Sequence, residues 1–144
     1  MRTRILALAA LLSAVGAISI TSAATAKAPP VHLTFSKQAS GPGTWSGSVA
    51  GDIEGALTTR LISIDDHKAV MRVTFDWIVD AGERSFTARL HGTLDTNTGA
   101  VEMKGRVVEG YLEGSQVREA GQLVDPATSA FEGTIDIRPV GHAS

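Results

Sequence analysis

The stretch Met71-Arg-Val-Thr-Phe-Asp-Trp-Ile-Val79, followed by Phe86-Thr-Ala-Arg-Leu-His-Gly-Thr-Leu94, decides how this chain folds. Met71, Val73, Phe75, Trp77 and Val79 alternate with Arg72, Thr74, Asp76 and Ile78. Phe86, Ala88, Leu90, Gly92 and Leu94 alternate with Thr87, Arg89, His91 and Thr93. A period of two puts one set of side chains on each face of an extended strand, so one face is apolar and the other is mostly wet. Strands of this kind belong to antiparallel sheets that bury one side. Between the two runs, Ala81-Gly82-Glu83 is a polar break, and the pair reads as a hairpin.

The same pattern continues in both directions. Val31, Leu33 and Phe35 alternate with His32 and Thr34, and Phe131, Gly133, Ile135 and Ile137 alternate with Glu132, Thr134 and Asp136. Turn residues separate the runs at Gly41-Pro42-Gly43, Asp65-Asp66-His67-Lys68, Asp95-Thr-Asn-Thr-Gly99 and Asp125-Pro-Ala-Thr-Ser129. Asp95 to Gly99 reads as a type I turn ending in a left-handed glycine. These signals predict strands near 31–37, 44–50, 53–63, 69–79, 84–95, 100–113, 115–124 and 130–138. The shared phase of Trp45, Val49, Ile53, Leu57 and Leu61 also allows 44–63 to be one bent strand. No helical periodicity interrupts them.

A meander of about seven or eight strands leaves exposed edges unless the sheet closes, and an up-and-down barrel closes it. Glycine recurs inside or beside the strand patterns from Gly47 to Gly133, as bends and tight barrel corners require. The expected fold is therefore all-β, an antiparallel up-and-down β-barrel, with a two-sheet sandwich as its rival.

The N-terminus reads as a targeting segment. Arg2 and Arg4 precede an apolar run of 16 residues, Ile5 to Ile20, and small residues follow from Thr21 to Ala26. This order is that of a helical signal peptide, and both Ala24-Thr-Ala26 and Ser22-Ala-Ala24 fit the cleavage rule. The run is shorter than the roughly 20 residues that span hydrocarbon. The expected organisation is a removable segment over 1–26 and one barrel domain over 27–144, with no membrane span left after cleavage. Removing 1–26 takes away two arginines and no acid, so the net charge goes from −2 to −4.

Composition excludes several classes. There is no cysteine, hence no disulfide and no lipid-modified cysteine anchor, and the single Asn97 is not a glycosylation acceptor. These features fit an exported bacterial protein, periplasmic or extracellular. No basic stripe marks a nucleic-acid partner. No phosphate loop, dinucleotide fingerprint or G-x-S-x-G elbow occurs. His32, His67, His91 and His142 form no pair at metal-ligand spacing, so neither metal nor cofactor is expected.

The stretch from Val101 to Val117 carries what chemistry the sequence offers. Val101, Met103, Gly105 and Val107 set an apolar phase whose next members are Glu109, Tyr111 and Glu113. Glu119 follows Val117 in the same way. A carboxylate facing a barrel interior is desolvated and holds its proton more tightly, which suits general acid–base work. A bulge near Gly110 would instead turn Glu109 outward, since a slip of one residue moves every side chain to the other face. Trp45, Trp77 and Tyr111 are candidate walls of a ligand pocket, although small barrels also use such residues simply to fill themselves. Val108 and Leu112, opposite in phase, are the apolar hint of an outer contact face.

The runs Gly105-Arg-Val-Val-Glu-Gly-Tyr-Leu-Glu-Gly-Ser-Gln-Val117, Gly121-Gln-Leu-Val-Asp-Pro-Ala-Thr128 and Phe131-Glu-Gly-Thr-Ile135 resemble small secreted bacterial proteins of the allene-oxide-cyclase-like barrel group. Gly47-Ser-Val-Ala-Gly-Asp-Ile-Glu-Gly55 fits the same glycine-spaced style, and the resemblance covers roughly residues 44–137. It implies a calycin-like barrel with a central cavity, and it carries over no catalytic residues. Three functions follow as expectations. The first is a binding module for a small, mainly apolar molecule. The second is an envelope structural or interaction protein with a filled barrel. The third is a cofactor-free cyclase or isomerase using an interior glutamate.

Overall fold

The computed structural model describes residues 28–67 and 69–140 of the chain. The signal-peptide reading of 1–26 lies outside the described residues, as does His142. Pro29 to Val140 forms one compact unit.

Eight strands follow one another with almost nothing between them: β1 (Val31–Gly41), β2 (Thr44–Gly51), β3 (Gly55–His67), β4 (Val70–Asp80), β5 (Phe86–Asp95), β6 (Ala100–Gly110), β7 (Gln116–Asp125) and β8 (Ala130–Arg138). One short 3-10 turn, Gly82–Arg84, joins β4 to β5. Each strand pairs antiparallel with its neighbours in sequence, and β1 pairs with β8, so the sheet is a closed barrel. Closure decides against the sandwich. Residues Asp52 to Glu54 interrupt the 44–63 segment, which is two strands and not one bent strand.

The alternation predicted for β4 and β5 is the alternation observed. Val73, Phe75, Trp77 and Val79 are buried together with Phe86, Ala88 and Leu90. Leu33 and Phe35 of β1, Leu57 of β3, and Ile135 and Ile137 of β8 join them in one core. The Asp95 turn is also as expected: Gly99 has φ +78°, its N–H donates to the Asp95 carbonyl at 2.7 Å, and the Asn97 N–H donates to Asp95 Oδ1 at 2.9 Å. An αL glycine after an Asx-stabilised turn sends the chain back along β6 without strain.

The barrel has two unlike ends. The β2–β3, β4–β5 and β6–β7 connections lie at one end, together with the start of β1 and the finish of β8. There Val49, Ile53, Leu57, Val79, Phe86, Val107, Val117 and Ile137 fill the interior. The β1–β2, β3–β4, β5–β6 and β7–β8 connections lie at the other end, which we call the mouth.

Bulges set which residues face inward. The β5–β6 register slips between Thr87 and Ala88, so Thr87 opposes Glu109 while Ala88 opposes Val107. Val108 is the extra residue, and the phase of β6 flips there. Glu109 is accordingly exposed. The inward course of the Val101 phase therefore stops at Val107, and the outward alternative is the one observed for Glu109. Leu112 takes a left-handed φ of +62° and packs against the core, so it is not part of an outer face, whereas Val108 is exposed.

Candidate functional site

Among the described residues, two charged side chains break the apolar interior. Lys37 continues the inward phase of Val31, Leu33 and Phe35 on β1, and Glu119 continues the phase of Val117 on β7. Lys37 is 6% exposed and Glu119 is 2% exposed. Burying either charge is costly unless it finds partners. Neither is well supplied. The Lys37 ammonium donates to Thr59 Oγ1, itself buried on β3, over a long 3.4 Å. Glu119 Oε1 is buried without a hydrogen-bond partner.

Aromatic rings surround the lysine instead. Its Nζ lies 4.7 Å from the ring centre of Trp77, 5.2 Å from Phe75, 5.5 Å from Phe35 and 5.9 Å from Phe131. Ring faces attract a cation at these distances and recover part of the lost hydration. The rings are themselves fixed edge-to-face, Phe35 on Trp77 at 4.9 Å and Trp45 on Phe75 at 5.4 Å. Backbone spacing makes the room. Gly47 on β2 pairs with Lys37, and a Cβ at Gly47 would stand 1.8 Å from the Ser36 carbonyl oxygen and 2.7 Å from Lys37 Cα. Only glycine lets β2 pass so close to β1 at that point.

Burial moves both protons toward the neutral forms. Desolvation lowers the Lys37 amine to about 8, against the attraction of Glu119, and raises the Glu119 carboxyl to about 7, against the attraction of Lys37. The two groups sit close enough for each to bias the other's proton, and they titrate as a pair.

Above them a cavity of about 120 Å³ lies within the mouth. Lys37 and Glu119 belong to its lining, and Trp45, Met71, Phe75 and Met103 are among its apolar walls. Trp45 is pinned at the rim: its Nε1–H donates at 3.1 Å to the carbonyl of Ser129 in the β7–β8 connection. Ser129 holds that carbonyl with a left-handed φ of +52°. The connection that lets Trp45 line the opening is thus held in a conformation that non-glycine residues seldom adopt.

The residues singled out from sequence separate in space. Glu119 and Trp45 both line the cavity. Trp77 lies under Lys37, 1% exposed, with its Nε1 buried and unpartnered. Tyr111 is 36% exposed and sits in the β6–β7 connection at the closed end, so it lines no part of the mouth. Glu109 is on the outer surface. Lys37 and Thr59 carry no functional signal of their own in the sequence, although the Val31, Leu33, Phe35 alternation reaches Lys37 two residues later.

The outside carries its own polar order. Asp76 accepts two hydrogen bonds from Arg89 on the neighbouring strand, from Nε at 2.7 Å and Nη2 at 2.9 Å, and the guanidinium holds the Asp76 carboxyl below its usual range. Lys104, Arg106, Arg118 and Arg138 gather from β6, β7 and β8 along one outer groove, which also holds His32 bonded to Asp136. The sequence shows no such basic cluster because the four residues come from three strands. Among the described residues no three His, Asp or Glu side chains gather as a metal site.

Fold and site together define a class: a closed eight-stranded antiparallel barrel, consistent with a calycin-like barrel, solid at one end and holding a lysine and a glutamate beneath an apolar mouth at the other. No family model, no curated protein and no solved structure matches the chain.

Proposed function

We propose that this protein is an exported barrel that holds a small, mainly apolar molecule in its mouth, with a polar atom of that molecule turned toward Lys37 and Glu119. The observation that carries this reading is the cavity itself: apolar walls over two buried polar groups whose hydrogen-bonding capacity is unfilled. Ligand sites have this composition, mostly apolar with a few convergent polar groups. The size limits the ligand. A buried space near 150 Å³ accepts benzene, so about 120 Å³ suits six or so heavy atoms, or the head of a longer molecule whose tail leaves by the mouth. Trp45 at the rim is the contacting indole, Trp77 lies below Lys37 outside the cavity lining, and Tyr111 has no part in it. The basic, apolar and small segments of 1–26 support export, and the glycine-spaced strands support kinship with the allene-oxide-cyclase-like bacterial barrels.

Intrinsic fluorescence tests the binding reading. A panel of short alcohols, ketones, acids and aromatics is titrated into the protein, and Trp45→Phe separates the two indoles. Saturable change in the wild type, weakened when Leu94→Phe fills the mouth, is expected. Silence from both tryptophans across the panel removes the reading.

One observation favours a second reading. Glu119, not Glu109, is the interior carboxyl, and its proton is held to about neutrality. That is the range in which a carboxyl serves as general acid and base, so a cofactor-free isomerase or cyclase working through Glu119 is the alternative. Turnover that Glu119→Gln abolishes, with binding retained, would distinguish it. The open mouth counts against a filled barrel that acts only through its surface.

A further inference from the structure

We infer that Lys37 is a carbonyl-capturing amine, which takes a small apolar aldehyde or ketone from the mouth as an imine while Glu119 carries the protons. This rests on the ligand reading above and goes beyond it, from holding a molecule to bonding it.

The geometry argues against a purely structural ammonium. An ammonium brings three N–H donors, and Lys37 has one acceptor, Thr59 Oγ1 at 3.4 Å, within a shell of four rings. A neutral amine needs fewer acceptors and keeps its lone pair, and a lysine desolvated in an apolar pocket is the form that attacks carbonyls. Among the charged side chains of the described residues, only Glu119 faces Lys37. The strands packed against it offer Trp45 and Gly47 on β2, Thr59 on β3, Phe75 and Trp77 on β4, Met103 on β6 and Phe131 on β8. Glu119 is also the group that lacks a partner of its own and lines the same cavity. A proton resting on Glu119 leaves an amine beside an acid, the two halves that imine formation uses. Burial brings that distribution within reach, lowering the amine to about 8 and raising the carboxyl to about 7, so that the two protons are held almost equally.

The steps balance. The Nζ lone pair bonds to the carbonyl carbon, and the carbon–oxygen π pair moves to oxygen, which takes the Glu119 proton. The carboxylate then removes a proton from nitrogen and gives it to the hydroxyl. The nitrogen lone pair expels that hydroxyl as water. The product is an iminium on Lys37 facing a Glu119 carboxylate, and no oxidant or reductant is consumed.

The experiment is reductive trapping with hexanal and cyanoborohydride on the purified protein, read by peptide mass mapping, with hexanol binding followed by fluorescence in parallel. Expected is a hexyl adduct at Lys37 that forms about tenfold or more faster than at exposed Lys104, because an amine lowered to about 8 carries a far larger neutral fraction near neutral pH than an ordinary lysine amine near 10.5. Glu119→Gln is expected to slow the adduct while hexanol still binds, and Lys37→Met to remove it. The wild-type map and Glu119→Gln stand on their own if Lys37→Met does not fold. Hexanol binding with no excess of adduct at Lys37 overturns the inference and leaves the binding reading intact. No response to either probe overturns both.

Discussion

The closed end and the mouth of this barrel are built from the same strands with the same alternation, yet one is packed and the other is a site. At the closed end every inward position of β1, β3, β4 and β8 is apolar, and Leu33, Leu57, Val79 and Ile137 are at most 2% exposed. Toward the mouth the same strands turn to Lys37, Thr59 and aromatic rings, and β7 adds Glu119. Rings cannot mesh around a lysine as aliphatic side chains mesh with each other, so space is left. A barrel becomes a container where its alternation is kept but its chemistry changes.

Mutation at the two ends should break or sharpen that contrast, and the largest effect belongs to the closed end. Leu57→Ala is expected to cost about 3–4 kcal/mol of stability by chemical denaturation, and Leu94→Ala beside the open cavity about 1. Equal costs would mean that the mouth is packed as tightly as the base.

The next effect is one of pH. Glu119 has a raised carboxyl, so its contribution to stability is full below about 4.5 and is lost as pH rises through about 7. Lys37 has a lowered amine, so stability returns between about 8 and 10.5, where the folded protein has released a proton that the unfolded chain still holds. Urea unfolding across pH should therefore show a trough between pH 7 and 8 that is ~3 kcal/mol below the plateaus on its acid and alkaline sides, the carboxyl setting one side and the amine the other. Glu119→Gln should flatten its acid side and Lys37→Met its alkaline side. An unchanged curve in Glu119→Gln would mean that the carboxyl is hydrated.

The smallest effects belong outside the mouth. Glu109→Gln and Tyr111→Phe should each leave stability within about 0.5 kcal/mol and leave ligand response unchanged. A loss of binding in either would shift the site to the closed end.

Much of this contrast was legible in the sequence. The period-two runs carry the strands, and the Asp95 and Asp125 turns carry their order, because each is a local signal. Closure by β1 on β8 followed from edge avoidance. Glu119 could be placed inside because its phase starts at buried Val117 two residues away. Glu109 could not, because one extra residue at Val108 decides its face, and a bulge is a matter of cross-strand register. Lys37 was hidden by its own chemistry, since a lysine at a strand end reads as a solvated charge until other strands are known to bring three rings around it beside Phe35 of its own strand. The basic groove was hidden for the same reason.

Seven of the eight strand pairings join neighbours along the chain, and β1 with β8 is the one that spans it. Local hairpins form early, while a contact between distant segments must first meet the entropy of loop closure. Lys37 pairs on β8 with Phe131, and Glu119 pairs on β8 with Ile135, so the two charged residues lie on either side of that last strand. In the open meander each is hydrated separately. They come to face one another only when the seam zips shut, so the mutual influence on their protons arises with the final strand pairing.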